Sequence, residues 1–190
     1  MRGTAASWAV EEPIVRQIIA DLPGGVALDV ACGTGRYAEV LAEAGYLVTG
    51  VDTSPDMLDI ARHKVPQASF QLADARKLPV QDRSVDLLTC ALALTHLPEL
   101  TAVITEFARV LRPGGRLVTS DIHWQSLYFG GIALAAGEDG AEARMPASRF
   151  RPSAYVAAAI SAGLEIRACH EPLWPASQDT GGSLPPRLGG

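Results

Sequence analysis

Apolar and polar positions along this chain alternate between two periods. Short apolar runs recur at Val26–Ala31, Leu47–Asp52, Ala68–Leu72, Val85–Ala91 and Arg116–Asp121, each about the length of a strand. Runs with so few polar positions suit strands that are buried on both faces. Between them the period lengthens to that of a helix. Tyr37, Val40, Leu41 and Ala44 form one stripe that stops at Gly45, and Leu100, Val103, Ile104, Phe107 and Leu111 form another within Pro98–Leu111. Ser54-Pro55-Asp56 carries a helix start signal, a capping serine followed by a proline whose missing N–H costs nothing there. Ser153 is expected to cap a later helix with Val156, Ala159, Ile160 and Gly163 on one face, and Leu164–Cys169 reads as a sixth strand. The alternation predicts an α/β domain whose mostly parallel central sheet has helices on both faces.

Two stretches depart from the alternation. Residues 123–151 are long, rich in Gly and Ala and broken at Gly130-Gly131, Gly137 and Gly140, which reads as an insertion over the carboxyl edge of the sheet and a substrate lid. The stretch 175–190 holds Pro, Gly, Ser and Gln with almost no apolar alternation and reads as a disordered tail. Residues 1–174 are therefore expected to form one domain, in keeping with 190 residues of which 48% are hydrophobic.

Charge and cysteine content narrow the partners. The net charge of −5 is opposite to that of a phosphate-backbone binder, so nucleic acid is not expected as a partner. Cys32, Cys90 and Cys169 are scattered and odd in number, without the paired spacing of a zinc site, which fits reduced thiols in a cytoplasm and predicts no metal. The longest uncharged runs, such as Leu127–Gly137, are too short to span a bilayer, so no membrane is expected either.

The candidate chemistry starts where the first apolar run meets the first helical stripe. Asp29-Val30-Ala31-Cys32-Gly33-Thr34-Gly35-Arg36-Tyr37 reads as strand, glycine turn and helix N-terminus, a cradle whose free N–H groups and missing Cβ atoms admit a small molecule. Gly33-x-Gly35-x-x-Ala38 also fits the dinucleotide fingerprint, and Asp52 closing the second strand suits an acid on ribose hydroxyls in either case. The residues alone leave both cofactors open at this point.

Asp29–Gly35 resembles motif I of the class I S-adenosylmethionine (SAM)-dependent methyltransferases, with Ala31 where the first glycine is usual. Alanine is the mildest replacement there as long as the position needs no positive φ. Val51-Asp52-Thr53-Ser54-Pro55-Asp56-Met57-Leu58 resembles motif II, Ala73-Asp74-Ala75 the acidic segment after strand three, Leu78-Pro79 with Ser84–Leu88 the approach to strand four, and Leu111-Arg112-Pro113-Gly114-Gly115-Arg116-Leu117 the turn into strand five. The resemblance implies a Rossmann-like sandwich that binds SAM and yields S-adenosylhomocysteine. It implies cofactor contacts at Asp29, Ala31, Gly33, Gly35, Arg36, Asp52, Thr53, Met57, Asp74, Ala75, Cys90 and Ala91, with Asp52 on the ribose and Asp74 on the adenine amino group. Arg36 would pair with the methionine carboxylate or simply start a solvated helix.

Cys90–Leu97 carries no Asn/Asp-Pro-Pro-Tyr motif of the base and amide methylases, so the resemblance implies a small-molecule acceptor of the bacterial natural-product type. His96 after strand four and His123 after strand five are the candidate bases. Trp8, Trp124, Tyr128, Phe129 and Tyr155 are candidates for an apolar acceptor pocket. The seventh, antiparallel strand usual in the family has no counterpart, the chain reads as abbreviated at both ends, and the exposed edge of strand five points to a homodimer. Two alternatives stand beside methyl transfer: a SAM-binding accessory protein, and a nicotinamide-dependent oxidoreductase, which gives no reason for Asp74.

Overall fold

The computed structural model describes residues 4–128, 134–136, 142–144 and 146–172. In chain order these form α1 (Thr4–Ala20), β1 (Val26–Val30), α2 (Arg36–Glu43), β2 (Leu47–Asp52), α3 (Pro55–Lys64), β3 (Ser69–Leu72), β4 (Val85–Ala91), a 3-10 turn (Leu94–His96), α4 (Leu100–Val110), β5 (Leu111–Ser120), α5 (Trp124–Tyr128), a hairpin of β6 (Leu134–Ala136) and β7 (Glu142–Arg144), and α6 (Pro152–Ser161). The main sheet has the order β3-β2-β1-β4-β5 with every pairing parallel.

Side chains alternate across the sheet as a two-residue period demands. In β1, Ala27 joins the layer beneath α1, α2 and α3 with Ile19, Leu41, Leu58 and Val65, while Leu28 and Val30 join the opposite layer with Val103, Phe107 and Ala158. Each helix buries one stripe. On α4 that stripe is Leu100, Val103, Ile104, Phe107 and Val110, residues three and four apart. The Ser54 hydroxyl accepts from the Met57 N–H at 3.4 Å and caps α3 as expected, with Pro55 at its first position.

Three details correct the sequence reading. Strand β5 begins at Leu111 rather than Arg116: Leu111 pairs with Val85, the register slips, and the ladder resumes at Arg116 opposite Leu87, so Pro113-Gly114-Gly115 loops out of a strand already under way. Helix α6 starts at Pro152 with Arg151 as its cap, because proline's fixed φ suits the first helical position better than a serine one residue inside. The expected sixth strand at 164–169 is irregular, and all of it but Leu164 is exposed. Among the described residues no strand pairs with the outer edge of β5, and an apolar stretch with no neighbouring ladder has nothing to pair with. The expected tail at 175–190 and Phe129 lie outside the described residues, as do the side chains of Trp8 and Tyr128.

Candidate active site

In an open sheet of this order the chain reverses direction between β1 and β4, and a crevice opens at the carboxyl ends of those strands. The main candidates for chemistry among the described residues sit along that edge. The glycine turn ends β1, Asp52 ends β2 beside it, Asp74 follows β3, and on the other side His96 follows β4 and His123 follows β5.

The turn is built from backbone angles that L residues avoid. Gly33 and Gly35 lie at φ 52 and 81, and Ala31 lies at φ 54. The condition attached to the alanine is thus not met, because the position does use the left-handed region. Neighbouring hydrogen bonds hold it there: the Cys32 N–H donates to the Val51 carbonyl at 3.0 Å, and the Gly33 N–H donates to Asp52 Oδ2 at 2.8 Å. A Cβ on Gly33 would meet nothing within 4 Å, so this face of the turn is open to a ligand. A Cβ on Gly35 would lie 3.2 Å from that of Ala61, so the second glycine serves the packing of α3.

Asp52 accepts from Gly33 through Oδ2 and from the Ser54 N–H through Oδ1 at 2.9 Å. Each oxygen thereby keeps a lone pair to offer, and the half-buried carboxylate is fixed in place. Thr53 and Met57 are exposed beside it. Asp74 forms a turn of its own: Oδ1 accepts from the Arg76 N–H at 2.8 Å, and the Arg76 guanidinium grips the carboxylate, Nη2 to Oδ2 at 2.6 Å. That grip holds Asp74 at about 2, well below the usual carboxyl range. Ala75 next to it is buried.

Behind the turn lies a buried polar cluster. Asp29 is 2% exposed, its Oδ1 accepts from the Thr89 hydroxyl at 2.7 Å, and its Oδ2 has no partner. Burial outweighs the bonds from Thr89 and from the Ala38 backbone and pushes this carboxyl up to about 7. Arg36 donates through Nη2 to Glu11 of α1 at 2.7 Å and lies 4.4 Å over the Tyr37 ring, while its Nη1 lacks a hydrogen bond and faces Glu12 at 3.5 Å. Arg36 is thus neither solvated nor fully paired. Thr89 and Glu11 escaped the sequence reading. No local pattern reveals that the middle of β4 faces Asp29 or which turn of α1 crosses the glycine turn.

On the β4 side, Cys90 is fully buried in the core and Ala91 half-buried at the strand end. Burial and the nearby carboxylates of Asp29 and Asp121 push the Cys90 thiol upward, so it stays a neutral core side chain. The 3-10 turn that follows is tied at several points. The Thr95 N–H donates to Asp121 Oδ2 at 2.7 Å, the Thr95 hydroxyl to the Ser148 carbonyl at 2.7 Å, the Ser148 N–H to the Thr95 carbonyl at 2.6 Å, and His96 Nδ1 bonds the Pro146 carbonyl at 2.8 Å. Asp121 also accepts from the Tyr155 hydroxyl at 2.6 Å and from the Ile122 N–H at 2.8 Å. Burial raises the Asp121 carboxyl against these donors, and it pushes the Tyr155 phenol upward, so that hydroxyl remains a donor. Asp121 was also missed, although inspecting the residue that closes each strand, which found Asp52, finds it equally well. His123 is exposed, 3.8 Å from Glu171 and beside the Trp124 ring at 6.0 Å. Among the described residues no helix is long and apolar enough to cross a membrane.

Comparison with known proteins agrees with this geometry. Residues 28–119 match the family described as methyltransferase domain. The methyltransferase GfsG of Streptomyces halstedii is 42% identical over 106 residues, 52% of this chain and 38% of that protein. The malonyl-[acyl-carrier protein] O-methyltransferase of Serratia marcescens is 34% identical over 131 residues, 68% of this chain and 51% of that one. The chain therefore spans about half or less of the length of these curated relatives. A crystal structure of an S-adenosylmethionine-dependent methyltransferase from Mesorhizobium loti superposes with a TM-score of 0.67 at 26% identity, covering 86% of this chain and 84% of that one. With motif order, sheet topology and relatives in agreement, the segment 28–119 belongs to the class I SAM-dependent methyltransferase family.

Proposed function

We propose that this protein transfers the methyl group of SAM to a hydroxyl, amine or carbon of a small-molecule acceptor, a secondary metabolite. One observation carries the reading: three neighbouring strands end side by side on the glycine turn, on Asp52 and on Asp74, in the order in which the methionine, ribose and adenine parts of SAM follow one another.

The residues fit that cofactor. A zwitterionic amino-acid end needs a cation and an anion near the turn, and Arg36 Nη1 and Asp29 Oδ2, neither of which has a hydrogen bond, are such a pair. The free lone pairs of Asp52 suit the two ribose hydroxyls. The turn at Asp74 leaves the Ala75 N–H outside its internal bond, beside a carboxylate whose remaining acceptor capacity suits the adenine amino group. Bound there, SAM supplies a methyl group already activated by the sulfonium. The chain's part is to hold the acceptor in line and keep water out, which accounts for much of the acceleration in such transfers. Residues 123–151, of which 129–133, 137–141 and 145 lie outside the described residues, serve as the lid in this reading. The Thr95–Ser148 and His96–Pro146 bonds, which fasten its return to the site, support that role. Among the described residues the outer edge of β5 is unpaired, which supports a homodimer.

Titration calorimetry with S-adenosylhomocysteine tests the reading. Asp52→Asn is expected to weaken binding about tenfold or more, the worth of hydrogen bonds to a charged acceptor. Equal affinity of the variant, or binding of NADH in place of S-adenosylhomocysteine, would overturn it.

A further inference from the structure

We infer that His96 is the general base of the methyl transfer, held by the Pro146 carbonyl on a turn that Asp121 fixes, and that the acceptor class is accordingly a hydroxyl compound that must lose a proton. The inference rests on the methyl-transfer reading and deepens it.

The hydrogen bond to Pro146 decides the protonation pattern of the ring. A carbonyl oxygen can only accept, so Nδ1 carries the hydrogen of the 2.8 Å bond. In the neutral imidazole Nε2 then has a free lone pair, the form a base requires. The ring belongs to the 3-10 turn that follows the carboxyl end of β4, the strand hydrogen-bonded to β1, so it stands on the same edge of the sheet as the glycine turn. The same comparison sets His123 aside, because it is exposed one strand farther out and takes its contacts from Glu171 and Trp124.

Asp121 is the positioning residue. Its carboxylate receives Thr95 N–H, Ile122 N–H and Tyr155 O–H, donors from the turn, from its own strand end and from α6. A buried carboxylate costs stability unless it is hydrogen-bonded. Here it holds the backbone of the turn that carries the imidazole, through the Thr95 N–H. Cys90 is the other titratable group near Asp121, and it remains neutral.

In the step itself the acceptor's O–H proton passes to Nε2 as its oxygen forms the bond to the methyl carbon. The C–S bond breaks and its electron pair returns to sulfur, leaving S-adenosylhomocysteine, and the imidazolium then releases its proton to water. Acceptors that arrive ionised or with a free lone pair need none of this apparatus. A fold that fixes the tautomer and ties down the turn that carries it is matched to a hydroxyl.

The test combines a spectroscopic and a kinetic measurement. In ¹⁵N NMR of the labelled full chain bound to S-adenosylhomocysteine, His96 is expected as the Nδ1–H tautomer, and an Nε2–H tautomer overturns the inference. His96→Gln should leave S-adenosylhomocysteine affinity within twofold, whereas a tenfold loss would make His96 a cofactor ligand instead. With methyl-labelled SAM and a fractionated bacterial metabolite extract, label should enter alkali-stable methyl ethers. His96→Gln and Asp121→Asn should each lower kcat at least tenfold with the KM for SAM within twofold. Unchanged kcat in His96→Gln, or label found only on amines, overturns the inference. A wild type that binds no S-adenosylhomocysteine would fail the methyl-transfer reading, an outcome separate from the tautomer result.

Discussion

Ala31 occupies a backbone conformation that its side chain opposes, and relieving it should make the protein more stable. At φ 54 an L residue places Cβ against the following carbonyl, which costs roughly 1–2 kcal/mol. Glycine escapes that cost but brings a more disordered unfolded chain, worth about 0.4–1 kcal/mol in the other direction. Ala31 is half-buried and belongs to neither core cluster, so the lost methyl adds little. The balance is a gain of about 0.5–1 kcal/mol for Ala31→Gly, a rise in Tm of about 1–4 °C for a domain of this size. Thermal and urea unfolding of the ligand-free protein measure it, with Ala38→Gly as the contrast. Ala38 is fully buried in α2, where glycine costs about 1 kcal/mol in helix propensity beyond the lost packing, so that variant must fall. A loss of stability in Ala31→Gly would refute the reasoning, because it would mean that the methyl or the residue's stiffness, not the angle, dominates.

Two further predictions rest on buried groups. In the folded protein Asp29 titrates near 7, above its ordinary value, so between about pH 4 and 7 the folded state binds more protons than the unfolded one and this group removes stability as the pH rises. An ammonium arriving beside it should expel the proton, so calorimetry at pH 7 in buffers of different ionisation enthalpy should show about half a proton released on cofactor binding, and none in Asp29→Asn. In the middle of β2, a Cβ on Gly50 would lie 2.6 Å from two carbons of the buried Phe70 ring and 3.0 Å from Cys32 Sγ, so Gly50→Ala is expected to destabilise by about 1–3 kcal/mol, visible as a lower urea midpoint at unchanged m-value.

What was legible in the sequence follows from the range of the interaction behind each feature. Strand runs, helical stripes and the Ser54 cap are written within a few residues, and the structure returns them with small shifts at the ends. Position at a strand end is nearly as local, which is why Asp52 and Asp74 were found. The φ of Ala31 was not legible, because an alanine does not announce the Val51 and Asp52 contacts that fix its neighbours. Residues 164–169 show the converse. Their apolar content expresses a preference, but a ladder is a property of two strands, and the second is not written in the first. Glu11 with Arg36 and Thr89 with Asp29 are 25 and 60 residues apart, and only the packing of α1 and the order of the sheet bring them together.

The same distinction of range divides the site. The carboxyl ends of β1, β2, β3 and β4 hold the candidate cofactor contacts, and all of these lie inside the segment, 28–119, that matches the family. On the acceptor side His96 is inside that segment, while Asp121, Pro146, Ser148 and Tyr155, which hold its turn, lie beyond the end of the match. Under the proposed reading, substitutions beyond residue 119 are therefore expected to alter the acceptor wall without disturbing the cofactor contacts. Transplanting residues 121–155 from a relative with a different acceptor should change which product is labelled while leaving S-adenosylhomocysteine affinity within a few-fold. A chimera that kept the original acceptor with intact cofactor binding would place acceptor selection elsewhere in the chain.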